Sequence, residues 1–320
     1  MPPKYSFVLP AYKATFFREA IESILNQTYR DFELIIVNDA SPEDLTSIVN
    51  SYQDDRIQYY INEKNIGGTD LVAQWNHCIT YAKGEYLILA SDDDVYHLDY
   101  LEKMDFLINK YPNVNVFRPR IEGINANGEV SEESEILDEY TSYVDFLFLR
   151  YKGKVSSAIA YYIFNRDKLV NIGGFVNFPA AWISDDATVI RLSKNGVVSH
   201  NEVLFAFRTS GLNISSALNN SRMLSYKMLA TEYYFHWFKH ELKEIETING
   251  AEKDKISLIS SSLNRKTLIV SMIWLITNSD KEAVLSSWSI LRNIKSLNVF
   301  DRIIICYRAI SDVLKYKKLK

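Results

Sequence analysis

The chain has 320 residues, of which 47% are hydrophobic and 24% are charged, and its formal net charge at pH 7 is -4. This composition excludes collagen-like and disordered proteins and supplies enough apolar surface for a packed core. The slightly acidic balance argues against a nucleic-acid-binding protein, because such domains carry a large basic excess. The length exceeds that of one average domain, so we expect two domains, or one large domain with an appendage.

Cysteine usage and hydropathy indicate the compartment. Cys78 and Cys306 are far apart in the sequence and lack metal-ligand spacing, which favours a reducing, cytoplasmic environment. The N-terminal residues do not show the charged head and apolar middle of a secretory signal. The longest nearly apolar run, from Leu268 to Ile276, is shorter than the roughly 20 residues that cross a bilayer. We therefore expect a cytoplasmic protein without a membrane-spanning segment.

The first hundred residues alternate strand and helix patterns. Apolar runs at residues 6–9, 33–38 and 86–90 predict strands, and the spacing of apolar residues from Phe17 to Leu25 predicts a helix with one buried stripe. Such alternation is typical of a mostly parallel sheet with helices packed on its faces. The sequence therefore predicts an α/β fold of the Rossmann-like type.

Four aspartates follow two of these predicted strands. Asp39 follows the second strand, and Asp92, Asp93 and Asp94 follow the third. In open α/β sheets ligands bind beyond the carboxyl ends of the strands, so these carboxylates are expected to face one crevice. Adjacent like charges repel one another, which favours a compensating cation such as Mg²⁺ or Mn²⁺, often held by one or two carboxylates and by substrate phosphates. The alternative is that the triplet only caps the helix that begins near Leu98.

The later part of the chain changes character. Residues 122–139 contain a turn followed by many acidic residues and are predicted to form a solvated loop. From about residue 220, long helical patterns replace the alternation. We therefore predict a catalytic domain over residues 1–215 and a helical region over residues 216–320.

Several segments of residues 4–215 resemble, in the same order, the motifs of glycosyltransferase family 2. They are Phe7 to Lys13, Ile24 to Tyr29, Glu33 to Ser41, Asn65 to Gly68, Ala82 to Leu87, Ser91 to Asp94, Ile172 to Phe175 and Ser184 to Asp186. The resemblance implies the GT-A fold and an inverting, metal-dependent transfer of a sugar from a nucleotide-diphosphate donor to a hydroxyl of an acceptor glycan. It implies a UDP-sugar as the donor and a place in bacterial cell-surface polysaccharide biosynthesis.

The resemblance also implies roles for single residues. The nucleotide-sugar would be contacted by Pro10, Ala11, Tyr12, Asp39, Asn65, Gly67, Asp92 and Arg208. Asp93 and Asp94 would bind Mn²⁺ or Mg²⁺. Asp186 would remove the proton from the acceptor hydroxyl, and the adjacent Asp185 would raise the proton affinity of the pair. The alternative for this pair is a capped helix start.

The sequence departs from the family pattern at three positions. Ser91 stands where the family often has the first aspartate of its metal motif, so the metal is held either through Asp93 or through Asp92 and Asp94. The histidine often found beyond Arg208 is absent, and Asp185 replaces the usual glutamate. These departures keep open a nucleotide-sugar binding protein of the same fold without transferase activity. A nucleotidyltransferase is less favoured, because no glycine-rich triphosphate loop is found near the N-terminus.

The C-terminal segment from Arg302 to Lys320 couples apolar residues with a basic tail. Three interpretations remain: a helix packed on the catalytic domain, a peripheral contact with an anionic membrane surface, or a contact in a homo-oligomer. The membrane interpretation gains from the resemblance, since many bacterial enzymes of this type act on lipid-linked acceptors. It would place the protein at the inner face of the plasma membrane.

Overall fold

The computed structural model describes residues 2–155, 157–211, 219–245 and 251–317. The chain divides into two compact units. The first, which we call the sheet unit, consists of Met1–Val176 and Thr188–Gly211. The second, which we call the helical unit, consists of Asn177–Ala187 and Leu212–Lys320. The segment Asn177–Ala187 therefore belongs to the helical unit, although the sequence analysis placed it within residues 1–215.

The strands belong to the sheet unit. They are β1 (Tyr5–Ala11), β2 (Phe32–Asn38), β3 (Ile57–Ile61), β4 (Tyr86–Leu89), β5 (Val95–Tyr96), β6 (Val116–Asn125), β7 (Val130–Glu133), β8 (Tyr140–Thr141), β9 (Ile163–Asn165) and β10 (Val197–Thr209). The helices up to residue 192 are α1 (Phe17–Leu25), α2 (Leu45–Asn50), α3 (Leu71–Cys78), α4 (Tyr100–Lys110), α5 (Tyr143–Tyr151), α6 (Arg166–Asn171) and α7 (Ser184–Leu192), the last being divided between the two units.

These strands form one mixed sheet in the order β3–β2–β1–β4–β9–β6–β10–β5, with β7 beside β6 and β8 beside β10. β1, β2, β3 and β4 pair in parallel, whereas β9 is antiparallel to both β4 and β6. The parallel strands end at the same edge of the sheet, where the segments that follow them meet. The predicted α/β fold is confirmed, and its parallel part positions the candidate site.

The apolar patterns explain the local structure of this part. β2 is buried along its whole length between β1 and β3, as its continuous apolar run predicts. In α1 the buried residues Phe17, Ala20, Ile21 and Ile24 recur at helical spacing and form the predicted stripe. α3 begins after Asp70, whose side chain accepts a hydrogen bond from the backbone N–H of Ala73 at 2.9 Å.

The prediction that residues 122–139 form only a loop is wrong in its first half. Residues Glu122 to Ile124 of β6 pair in antiparallel fashion with β7. A turn joins the two strands, in which Gly128 has φ 81°. The reason for the error is that β7 is an exposed strand, in which charged side chains replace the alternating apolar residues of a half-buried strand. Residues 122–124 of β6 lie between β7 and β10.

The helical unit contains α8 (Ser221–Lys243), α9 (Ala251–Ser262), α10 (Arg265–Thr277), α11 (Lys281–Leu291) and α12 (Val299–Lys317). Its core joins Met228 of α8, Met272 of α10, Leu291 of α11 and Ile305 of α12. Within the described part of the chain, no helix is both long enough and apolar enough to span a membrane.

Aromatic side chains fix the segment 177–187 in the helical unit. The Phe178 ring packs edge-on against Tyr234 and Trp237 of α8, with centroids 6.2 and 6.1 Å apart. Trp182 stacks on Trp274 of α10 at 6.4 Å. The aromatic rings thus explain why a short segment between β9 and α7 packs with the C-terminal helices.

Candidate active site

Asp39 ties the end of β2 to the loop that precedes α3. Its carboxylate accepts hydrogen bonds from the backbone N–H groups of Ile66 at 2.8 Å and Gly67 at 2.7 Å, and from the Asn62 amide at 2.7 Å. A Cβ atom at Gly67 would lie 2.9 Å from Asp39 Oδ2, so only glycine allows this approach. Asp39 and Gly67 are therefore in contact, and Asn65 lies in the same loop.

Asp92 makes the corresponding contact at the end of β1. Its Oδ2 atom accepts hydrogen bonds from the backbone N–H groups of Tyr12 at 2.9 Å and Lys13 at 2.8 Å. The backbone N–H of Asp39 donates to the carbonyl of Ala11 at 2.9 Å. The predicted nucleotide residues from Pro10 to Tyr12 thus lie between Asp39 and Asp92, at one edge of the sheet.

The remaining two aspartates of the triplet are buried. Asp94 Oδ1 accepts a hydrogen bond from the backbone N–H of Arg208 at 2.8 Å, and the Ser91 hydroxyl donates to Asp94 Oδ2. Burial, helped by the charge of Asp93, raises the pKa of Asp94 to about 7. Burial and the adjacent Asp92 also raise the pKa of Asp93, while Lys13 and Arg208 oppose this shift. Ser91, which departs from the family pattern, therefore has a structural partner.

Arg208 supports the triplet from β10. Only 1% of its side chain is exposed. Its Nε donates to the backbone carbonyl of Asp93 at 2.7 Å, its Nη2 pairs with Glu19 at 2.7 Å, and its guanidinium lies over the Phe16 ring at 4.3 Å. These contacts order the segment that carries Asp93 and Asp94. The expected contact of Arg208 with a diphosphate stays a prediction.

The acidic pair Asp185 and Asp186 lies in the first turn of α7. The turn before it is strained, because Ala180, Ala181 and Ile183 have φ values of 56°, 55° and 65°. The left-handed region is costly for residues other than glycine, above all for β-branched ones, and such strain persists mainly at functional sites.

A fourth strained residue lies in the other unit. Ala40, directly after Asp39, has φ 50°. Among the residues that the structure describes, the non-glycine residues with positive φ are therefore those next to Asp39 and those just before Asp185. Backbone strain marks the same two places as the sequence motifs.

A divalent cation fits the donor set of the triplet. In the described ranges, no three His, Cys, Asp or Glu side chains are arranged as a complete metal site. Mg²⁺ and similar cations, however, take one or two carboxylates and complete their shell with water and substrate phosphate. Burial is the main cause of the raised pKa of Asp93, and the adjacent charge of Asp92, which such a cation would offset, adds to it.

Three residues of this region escaped the sequence analysis. Asn62 donates to both Asp39 and Gln74. Asn76 of α3 bonds both backbone groups of Phe175, at 2.8 and 3.1 Å, and so fixes the Gly-Gly-Phe turn. The available signal for Asn76 was a polar residue in a segment whose apolar spacing predicted a helix.

Arg118 of β6 is the third residue. Its side chain is 1% exposed, and its guanidinium lies 5.4 Å from the centre of the Tyr161 ring. Its Nε and Nη1 atoms lack a hydrogen-bond partner in the part of the chain that the structure describes. A charged residue directly after the apolar residues Val116 and Phe117 was the available signal.

Solved structures with the same architecture define the class of protein. Staphylococcus aureus TarS 1-349, in complex with UDP-GlcNAc, aligns with a TM-score of 0.63 at 15% identity over 99% of this chain and 92% of that chain. The mannosyltransferase PcManGT from Pyrobaculum calidifontis, in complex with GDP-Man and Mn²⁺, gives 0.51 at 15% identity, over 98% and 88%. The fold is the GT-A fold of glycosyltransferases.

The sequence comparison gives the family. The model for glycosyl transferase family 2 matches residues 6–171, which is more than half of the chain, and the protein belongs to this family of glycosyltransferases. The resemblance seen in the motifs is thereby confirmed.

Curated relatives match the N-terminal part. An uncharacterized glycosyltransferase of Rickettsia typhi is 38% identical over 115 residues, 36% of this chain and 35% of that protein. The putative glycosyltransferase EpsE of Bacillus subtilis is 34% identical over 118 residues, 36% and 41%. A Campylobacter jejuni protein named GalNAc(5)-diNAcBac-PP-undecaprenol beta-1,3-glucosyltransferase is 35% identical over 95 residues, 29% and 30%. The matches span less than half of the length of these relatives.

Proposed function

We propose that this glycosyltransferase moves one sugar from a UDP-sugar to a hydroxyl of an acceptor glycan, with inversion at the anomeric carbon and with a divalent cation. The observation that carries the proposal is a set of hydrogen bonds at one edge of the sheet. Asp39 accepts from the backbone of Ile66 and Gly67, and Asp92 accepts from the backbone of Tyr12. Asp92 and Asp93 are adjacent carboxylates at this edge, and the negative charge of Asp92 adds to the effect of burial in raising the pKa of Asp93. A nucleotide diphosphate with its cation matches that charge.

The three aspartates of the triplet have different proposed roles in donor binding. Asp93, together with the second carboxylate oxygen of Asp92, would hold the cation, and Asp94 would be fixed behind them by Arg208 and Ser91. When bound, the cation neutralises the charge that develops on the diphosphate leaving group. Tyr12 and the Asn65–Gly67 loop would border the nucleotide, because Asp39 and Asp92 hold them at the same edge.

Asp186 is proposed as the general base. Its carboxylate would take the proton of the acceptor hydroxyl while that oxygen bonds to the anomeric carbon and the bond to the diphosphate breaks. A single displacement of this kind inverts the anomeric centre. The strained turn before the acidic pair supports a functional role, because it presets the direction of the helix start at a cost in stability.

The substrates are inferred from the relatives. TarS is described in complex with UDP-GlcNAc, and the Campylobacter relative is named for a glucosyl transfer to an undecaprenol-linked glycan. We extend to this chain a UDP-sugar donor and an acceptor glycan of bacterial surface polysaccharide, carried on a lipid. The competing proposal is a binding protein of the same fold that does not transfer sugar.

Calorimetric titration tests the donor site. We expect UDP, rather than GDP or dTDP, to bind the wild type in the presence of Mn²⁺. Asp93→Asn should lose the dependence on Mn²⁺, whereas Asp138→Asn, which changes an exposed aspartate of the sheet unit, should not. If none of the three nucleotides shows metal-dependent binding, the proposed donor site is overturned.

Turnover of the donor separates an enzyme from a binding protein. Asp186→Asn should lower the transfer rate by about 10²–10⁴-fold, as expected for loss of a general base, and leave UDP binding unchanged. Unchanged transfer by this variant would remove Asp186 from the mechanism. Binding without turnover by the wild type, tested with lipid-linked glycan acceptors, would favour the binding protein.

A further inference from the structure

Helix α12 carries an exposed apolar stripe. Phe300 is 75% exposed and Tyr307 is 74% exposed. The stripe consists of the exposed apolar side chains Phe300, Ile303, Ile304, Tyr307, Ile310 and Leu314, and Val299 at the start of the helix is exposed as well. Intervals of three and four residues place them on one face of the helix. The opposite face carries Ile305 and Ala309, which are fully buried in the core of the helical unit.

An ordinary surface helix is apolar only on the face that meets the core. Single exposed apolar residues are common, but a contiguous stripe along several turns marks a surface that meets another apolar phase. The stripe adds nothing to the packing of the helical unit, since Ile305 and Ala309 already supply the contact with its core. We therefore expect another surface to cover this stripe.

The charges around the stripe identify the occupant. The acids within α12 are Asp301 and Asp312. Asp301 is buried and paired with Arg265 at 2.8 Å, so its charge is compensated inside the unit. Arg308 is exposed beside the stripe, and residues 315–320 of the sequence contain four lysines. Asp312 is the only other acid of the segment from Phe300 to Lys320, whose net charge is therefore positive. An apolar face on a segment of positive charge matches the surface of an anionic membrane.

A second copy of the chain fits this surface less well. In a twofold dimer the same patch meets itself, so a segment of net positive charge would be brought to a second segment of the same charge. Like charges juxtaposed in this way oppose association. Anionic lipid headgroups provide the opposite charge, and the acyl boundary accepts the apolar side chains.

We propose that α12 lies in the plane of an anionic membrane surface, with its stripe at the boundary between headgroups and acyl chains. Such docking would bring a glycosyltransferase to acceptors that are carried on lipids, which links this surface to the proposed function. The docking itself needs no sugar transfer, so the two proposals can fail separately.

Vesicle flotation with the full chain tests the docking. The wild type should float with phosphatidylcholine vesicles that contain phosphatidylglycerol and should stay unbound with phosphatidylcholine alone. The double variant Phe300→Gln with Tyr307→Gln should bind about tenfold more weakly, because two apolar side chains no longer leave water. Phe106→Gln is the matched control, since it removes an exposed phenylalanine from α4 of the sheet unit.

A charge-reversal variant and a measurement of the oligomeric state complete the test of docking. Arg308→Glu should weaken vesicle binding and should reduce its dependence on salt. Thermal unfolding and UDP titration of each variant show whether the chain still folds and binds donor. The proposal is overturned if the wild type ignores anionic vesicles, or if Phe106→Gln weakens binding as much as the stripe variant. It is also overturned if the wild type dimerises in solution and the stripe variant is monomeric, because the stripe would then face a second copy.

Discussion

The two units of the molecule depart from ordinary protein architecture in different ways. The sheet unit buries charge next to the candidate site, where Asp93, Asp94 and Arg208 are all less than a tenth exposed, and it also buries Arg118. The helical unit buries charged residues too, among them Lys227 and Asp301, but it also exposes apolar surface along α12, where Phe300 is among the most exposed side chains. Burying a charge and leaving an apolar side chain in water both cost free energy.

These departures are informative because stability does not account for them. A unit that buries charged groups next to its sheet edge is prepared for a polar ligand that brings compensating charges. A unit that exposes an apolar stripe beside cations is prepared for an apolar, anionic surface. The difference agrees with the two proposals, nucleotide-sugar binding by the sheet unit and membrane docking by the helical unit, and each proposal can be tested by substitution.

The largest effect is expected at Arg208. Replacing it by methionine, Arg208→Met, removes the donor to the Asp93 carbonyl and the cation near two buried carboxylates. Leaving buried charge uncompensated costs about 3–5 kcal/mol of unfolding free energy. Chemical denaturation measures this loss. A loss below about 1 kcal/mol, the range of a surface pair, would show that the charges of this unit are not coupled.

Arg118 provides the matched substitution. Arg118 is equally buried, but its Nε and Nη1 have no hydrogen-bond partner among the described residues. Arg118→Met should therefore leave stability unchanged or raise it by about 1–4 kcal/mol, since an apolar side chain replaces an unpaired charge. The same denaturation experiment applies. A loss as large as that of Arg208→Met would mean that Arg118 has a compensating partner in solution.

Part of this structure could be predicted from the sequence. β2 and the buried stripe of α1 could be predicted from the sequence. Burial of a strand or of one helix face requires apolar residues at a characteristic spacing, and this spacing is visible within a short segment. The positions of Asp39 and Asp92 followed from the same logic, since the parallel strands that precede them end at one edge of the sheet. The roles proposed for their carboxylates came from motif resemblance and stay predictions.

Other features depend on contacts between distant residues. Nothing near Asn62 shows that its amide meets Asp39, because that contact exists only after β2 and β3 pair. The exposed strand β7 gave a loop-like pattern, because no core selects its side chains. Ala180 and Ile183 carry no mark of a positive φ in the sequence, where glycine would have been expected.

Relief of strain gives a smaller effect. Ala180→Gly should raise the unfolding free energy by about 0.5–1 kcal/mol, because glycine adopts φ 56° without strain. Ala230→Gly inside α8 is the control and should lower it by about 1 kcal/mol. We also expect slower sugar transfer in Ala180→Gly, because the turn before Asp185 becomes less fixed. Stabilisation with full activity would show that the strain does not serve the acidic pair.

The smallest effect concerns Lys227, a buried cation in the helical unit. Lys227 lies over the Trp182 ring, with its nitrogen 4.3 Å from the ring centre. Burial lowers the pKa of Lys227 below its ordinary value of 10.5. Between the lowered pKa and 10.5, the unfolded chain binds more protons than the folded one. In that window the unfolding free energy contributed by Lys227 therefore rises with pH.

Lys227→Met removes this contribution. At pH values below the window the variant should be more stable than the wild type, because it does not bury a charge, and the advantage should shrink as the pH rises through the window. Denaturation of both proteins across this pH range measures the difference. A constant difference would mean that the Trp182 ring compensates the charge as well as water does. In that case Lys227 would fix the strained segment before Asp185 at no cost in stability, and the helical unit would also contain a buried charge that is fully compensated.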